Sequence, residues 1–83
     1  MTSFILYSRS YCHLCDDMLE QLQAYSDRYA FRVEVMDVDA DETLLQAYDE
    51  LVPVLVGVRD GGEAEQICHY FLDQNKLIAF LEK

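Results

Sequence analysis

Hydrophobic and polar positions follow two periods along this chain, and the switches between them mark its elements. Phe4-Ile5-Leu6-Tyr7 is a continuous apolar run, short enough to be a buried strand. From residue 12 to 29 the period becomes helical. Cys15, Leu19, Leu22, Ser26 and Tyr29 share one face, with Met18 and Tyr25 on its flank, while Asp16, Asp17, Glu20, Gln23 and Asp27 lie opposite. Phe31, Val33, Val35 and Val38 predict a second strand near 31 to 37, where β-branched residues favour extended backbone. Asp39 followed by Glu42 has the form of a capping box, and Leu44, Leu45, Tyr48 and Leu51 give the next helix an apolar stripe. "VPVLVGV", residues 52 to 58, is a third strand. "RDGGE", 59 to 63, is a turn from which 65 to 70 pairs back as a hairpin. Asp73 caps a last helix whose core side is Leu77, Phe80 and Leu81.

The order βαβαββα predicts an α/β fold. Its first half needs two parallel strands with a right-handed crossover, and its second adds an antiparallel hairpin and a closing helix. One four-stranded mixed sheet with helices on both faces satisfies this. The whole chain, 1–83, reads as a single domain without repeat or linker.

Charge narrows the partners. Sixteen acidic against six basic residues leave a net charge of −10, which repels nucleic acid and anionic membranes. The first ten residues, "MTSFILYSRS", lack the basic start of a signal peptide, and no apolar run approaches the ~18 residues of a membrane span. A cytoplasmic monomer is the expectation, with partners that are neither nucleic acid nor membrane.

The three cysteines cannot complete a disulfide framework, yet two of them stand three apart in "YSRSYCHLCDDM", residues 7 to 18. Such a pair can be a redox dithiol, half a zinc site or a structural remnant. Zinc would need Cys68 and His69 as well, but neighbours on a strand point to opposite faces, so no metal is expected. Cys68 reads as a small buried hydrophobe, His69 as a surface residue and His13 as a solvent-facing neighbour of the pair. Position favours redox chemistry. Cys12 stands in the first turn of a helix that follows a strand, where unpaired N–H groups and the dipole stabilise a thiolate. Cys15, on the apolar face, is sheltered. An exposed thiol that attacks and a sheltered one that resolves is the implied division. Asp16 and Asp17 suit the helix dipole but repel a thiolate, and Arg9 and His13 are the nearby basic groups that offset them. Cys12 is therefore expected to be less acidic than the thiols of strongly oxidising pairs, which favours a reductant role.

Pro53, the only proline, opens a core strand without an N–H to give the sheet. A cis bond in a tight turn fits it, leaving the Val52 backbone to pair with an extended ligand. A trans proline opening an edge strand is the alternative.

"LYSRSYCHLC", residues 6 to 15, resembles the Tyr-Ser-Lys-x-x-Cys-x-x-Cys motif of glutaredoxins, and "LVPVLV", 51 to 56, resembles their Thr-Val-Pro segment. "DVDADETLLQAYDELVPVLV" and "YFLDQNKLIAFLEK" are similar to small bacterial glutaredoxin-like proteins. The resemblance implies a thioredoxin-like fold and a thiol-disulfide oxidoreductase acting on protein or small-molecule disulfides. It makes Cys12 the nucleophile and Cys15 the resolving thiol. It puts Arg9 in place of the lysine near the glycyl carboxylate of glutathione, and Val52 with a cis Pro53 as a backbone ledge for substrate. Glutathione or a thioredoxin-reductase-type reductant would recycle the pair, and no resident cofactor is implied. The sequence departs from the family at Cys12-His13-Leu14-Cys15, where Cys-Pro-Tyr-Cys is usual, and at Leu51, where threonine is usual. It lacks the Gly-Gly-Cys-Asp-Asp segment that grips glutathione: Gly61 and Gly62 fall in the hairpin turn, and Asp73 replaces one aspartate at most. Glutathione, being anionic, is further opposed by the charge of the chain. The rival reading is a non-catalytic thioredoxin-fold binding module that retains the CxxC and holds an extended partner with Tyr11, Val52-Pro53 and Tyr70-Phe71.

Overall fold

The computed structural model describes residues 2–10, 12–48 and 50–82. In chain order they form β1 (Thr2–Ser8), α1 (His13–Gln23), β2 (Phe31–Asp37), α2 (Glu42–Tyr48), β3 (Val54–Val58), β4 (Ala64–His69) and α3 (Gln74–Glu82). The strands make one sheet in the order β2-β1-β3-β4. β1 runs parallel to β2 and antiparallel to β3, and β3 runs antiparallel to β4. This is the mixed α/β sheet that the element order predicts.

The alternation of side chains along β1 divides the core. Phe4 and Leu6 point to one face, where they cluster with Met18 and Leu22 of α1, Leu55 of β3, Ile67 of β4, and Leu77 and Phe80 of α3. Tyr7 points to the other face and stacks on Tyr48 of α2, with ring centroids 4.6 Å apart. Helices thus cover both faces. Full burial of each large apolar side chain stabilises the fold by about 1.5–3 kcal/mol, so eight in one cluster carry a chain this short.

Several boundaries differ from the sequence expectation, each for a local reason. α1 stops at Gln23 and tightens into a 3-10 turn over Ala24–Asp27. The wheel drawn through residue 29 therefore loses phase: Cys15, Met18 and Leu22 are buried, Leu19 is half-buried and Ser26 is exposed. Asp39 does not cap α2. Asp41 does, accepting from the N–H groups of Thr43 at 2.8 Å and Leu44 at 3.4 Å. β3 begins at Val54 rather than Val52, after a cis Val52–Pro53 bond. Asp73 caps α3 as expected, accepting from the Lys76 N–H at 3.1 Å. β3 and β4 slip register between Leu55 and Val56, so Ile67 is the extra residue of a bulge and turns into the core.

Gly57 faces α3 at the tightest point of the core. A Cβ there would lie 2.5 Å from the Phe80 ring. Displacing the ring would also disturb Arg59, which lies over it at 3.9 Å from the centroid and donates to the Phe80 carbonyl at 3.0 Å. Gly57→Ala is expected to lower stability by about 1–3 kcal/mol through overpacking. Urea denaturation checks this, and an unchanged midpoint would contradict it.

Candidate active site

Three loops meet at one end of the sheet because of strand register. Tyr7, near the end of β1, pairs with Val54 at the start of β3, and Val54 pairs with His69 at the end of β4. The segment after β1 carries Cys12 and Cys15, the one before β3 carries Val52 and Pro53, and the one after β4 carries Tyr70 and Phe71.

Cys12 is the N-cap of α1, one position earlier than the first-turn placement expected from sequence. Its backbone is extended, with φ −107° and ψ 105°. Its carbonyl accepts the Asp16 N–H at 3.2 Å, which starts the helix. Its Sγ accepts the Cys15 N–H at 3.1 Å, the bond that an N-cap serine or aspartate oxygen would accept. Cys12 is partly exposed and Cys15 is only 3% exposed, tucked onto the apolar face of α1. The two are joined as a disulfide with Cα atoms 5.2 Å apart. In the reduced state the same N–H and the helix end would favour a thiolate on Cys12 over one on Cys15.

The other expected site residues divide. Pro53 is buried beside this end of the sheet, and its carbonyl accepts the Tyr70 N–H at 2.9 Å. The Val52 backbone was expected to be open for a ligand, but its N–H donates to the Tyr48 carbonyl at 3.2 Å, which also accepts the Leu51 N–H at 2.9 Å. The ledge is thus narrower than predicted. Arg9 is gripped by Asp39, with Nε 3.2 Å from Oδ2 and Nη2 3.0 Å from Oδ1. The pair is surface-exposed and contributes at most about 1 kcal/mol, but a ligand carboxylate reaching for Arg9 must displace Asp39. Tyr11 lies outside the described residues. Cys68 is half-buried on β4, and burial raises its pKa, while His69 beside it is exposed.

Sequence reasoning passed over Leu14. It stands between the cysteines and is 38% exposed, next to a groove of about 280 Å³ that also takes in Met18, Tyr70, Phe71 and Leu72. An apolar residue inside a CxxC that opens a helix, paired with "YFL" just after a strand, was the available signal.

Residues 3–82 match the family described as Glutaredoxin-like domain (DUF836). This chain belongs to that family. Protein Ne2328 from Nitrosomonas europaea, solved in solution, is 35% identical over 96% of this glutaredoxin-like chain and 91% of its own, with a TM-score of 0.84. Protein XcR50 from X. campestris is 32% identical over 95% of both chains, with a TM-score of 0.61. A mutant thioredoxin from Halobacterium salinarum is 23% identical over 98% of this chain and 72% of its own, with a TM-score of 0.73; that likeness is one of fold. No curated protein matches the chain. A glutaredoxin-like thioredoxin fold with a bonded Cys12–Cys15 pair fits thiol redox function.

Two outcomes follow from this geometry. In the reduced native protein, Cys12 alkylates much faster than Cys15, which is buried, or Cys68, whose raised pKa keeps it protonated. Brief iodoacetamide treatment and mass mapping read this, and equal labelling of the three would refute it. Replacing Asp16 and Asp17 together by Asn removes two exposed carboxylates from the first turns of α1. Cys12 should then alkylate faster at neutral pH and the couple become more oxidising, since a stabilised thiolate favours the reduced form. An unchanged or slower reaction in the double variant would refute this repulsion.

Proposed function

We propose that this glutaredoxin-like domain is a thiol-disulfide oxidoreductase that reduces protein or small-molecule disulfides. The observation that carries the reading is the asymmetry of the pair: a partly exposed sulfur capping a helix and a buried sulfur one turn behind it. The Cys12 thiolate attacks one sulfur of the substrate disulfide. That S–S bond breaks, a mixed disulfide forms, and the first leaving sulfur takes a proton from water. Cys15 then gives up its thiol proton and attacks Cys12 Sγ, and the second substrate sulfur leaves and takes up a proton as the Cys12–Cys15 bond closes. Two electrons pass from the pair to the substrate, so an external thiol must return them. Glutathione and a thioredoxin-reductase-type reductant are the two chemical classes, and the grip of Asp39 on Arg9 disfavours the former. The domain works in the cytoplasm, as a monomer, without a resident cofactor.

A second reading, a binding module that retains its thiols, draws on the exposed Leu14, Tyr70 and Phe71 side chains beside the pair. Chemistry separates the two. Cys12→Ser should abolish reduction of a neutral disulfide such as that of mercaptoethanol. Cys15→Ser should retain the first step and accumulate a mixed disulfide on Cys12, visible as a mass increase. A wild-type domain that leaves the disulfide untouched, or a Cys12→Ser variant that still reduces it, would overturn the oxidoreductase reading.

A further inference from the structure

We propose that the substrate disulfide is borne on a positively charged extended segment that seats an apolar side chain in the groove between Leu14 and Phe71. This rests on the oxidoreductase reading above and names the class of disulfide that Cys12 would meet.

The groove has the chemistry of a side-chain pocket at the right place. Among the described residues, the exposed large apolar side chains are Leu14, Val35, Tyr70 and Phe71, and three of these four border this one groove. Phe71 is 71% exposed, far more than scattered surface hydrophobics require. Its exposure is imposed by the backbone. Tyr70 adopts the left-handed conformation, with φ 63°, which is unfavourable for a residue with a large side chain. Three contacts hold it there: its N–H donates to the Pro53 carbonyl at 2.9 Å, its hydroxyl donates to the Glu50 carbonyl, and its ring lies 4.8 Å from that of His69. The Phe71 N–H then closes the turn on the His69 carbonyl at 2.7 Å, so Phe71 is presented outward from a fixed corner. Met18 and Leu72 floor the groove. Leu14 is two residues from Cys12, a span of at most about 7 Å, so an extended segment with its cysteine over Cys12 reaches the groove about two residues away.

The sign of the partner follows from the groups around the site. Asp17 borders the groove and Asp16 is exposed beside it in α1. Arg9 is neutralised by Asp39. On the far side of Phe71, Asp73 and Lys76 border the same depression and offset each other. His13 is the remaining titratable group in the CxxC, and the chain as a whole carries −10. An anionic disulfide meets net repulsion here, whereas a cationic one is drawn in and sheds little hydration by leaving its charges at the rim.

The test uses short peptides, each holding one cysteine as a mixed disulfide with mercaptoethanol and differing only in flanking residues: lysine with leucine, glutamate with leucine, and lysine with serine. Each rate with the reduced domain is divided by the rate of dithiothreitol with the same peptide, which removes the effect of charge on the leaving thiol. The lysine-leucine peptide should react about tenfold or more faster than the glutamate-leucine peptide at low salt, with the gap closing as salt rises. Leucine should outpace serine several-fold in the wild type, and Phe71→Ser should erase that ratio. Equal rates for the two charge signs, or a leucine preference that survives Phe71→Ser, would overturn the proposal and leave the oxidoreductase reading intact. Failure to react with the neutral disulfide of mercaptoethanol would overturn both.

Discussion

The CxxC end of this domain depends on the pairing of β1 with β3. That register sets Val54 between Tyr7 and His69, and it is the reason that the CxxC loop, the Pro53 turn and the Tyr70 corner open on the same side. A slip of one residue would turn Phe4 and Leu6 to the wrong face and Leu55 away from α1 and α3, so the core enforces the register. The cluster behind the sheet is thus what holds three loops, far apart in sequence, at one end of the sheet. The cis Val52–Pro53 turn and the Tyr70 N–H bond to the Pro53 carbonyl tie two of those loops to each other directly.

Charge is distributed with a comparable economy. The acidic residues that follow the CxxC fall where a helix N-terminus accommodates them, and the arginine that precedes it is held by an aspartate thirty residues away.

Element order was legible because each segment keeps its own period: continuous apolar residues in β1, i, i+3 and i+7 spacing in Cys15, Met18 and Leu22, and the Asp73 signal before α3. The asymmetry of the cysteines was legible for the same reason. What stayed hidden depended on contacts across the fold. "DVDADE" offers aspartates at 37, 39 and 41, all plausible caps; Asp37 caps a 3-10 turn over Val38–Ala40, Arg9 holds Asp39, and Asp41 caps α2. The end of α1 at Gln23 carries no glycine or proline signal. The use of the Val52 N–H by Tyr48 arises because the chain turns back onto the end of α2, where the Tyr48 carbonyl accepts both the Leu51 and the Val52 N–H, which no local pattern announces. The left-handed backbone of Tyr70 is likewise a tertiary effect, opposed by its own side chain.

The bond from the Cys15 N–H to Cys12 Sγ joins two equilibria. The same sulfur that gains or loses electrons also terminates α1, and an anionic cap accepts an N–H more strongly than a neutral one. By linkage, whatever α1 gains in helical order when Cys12 becomes a thiolate is matched by an equal preference of the folded helix for the reduced form. A ligand that orders the start of α1 would therefore shift the poise of the couple, and the redox state would in turn set how firmly that first turn is held.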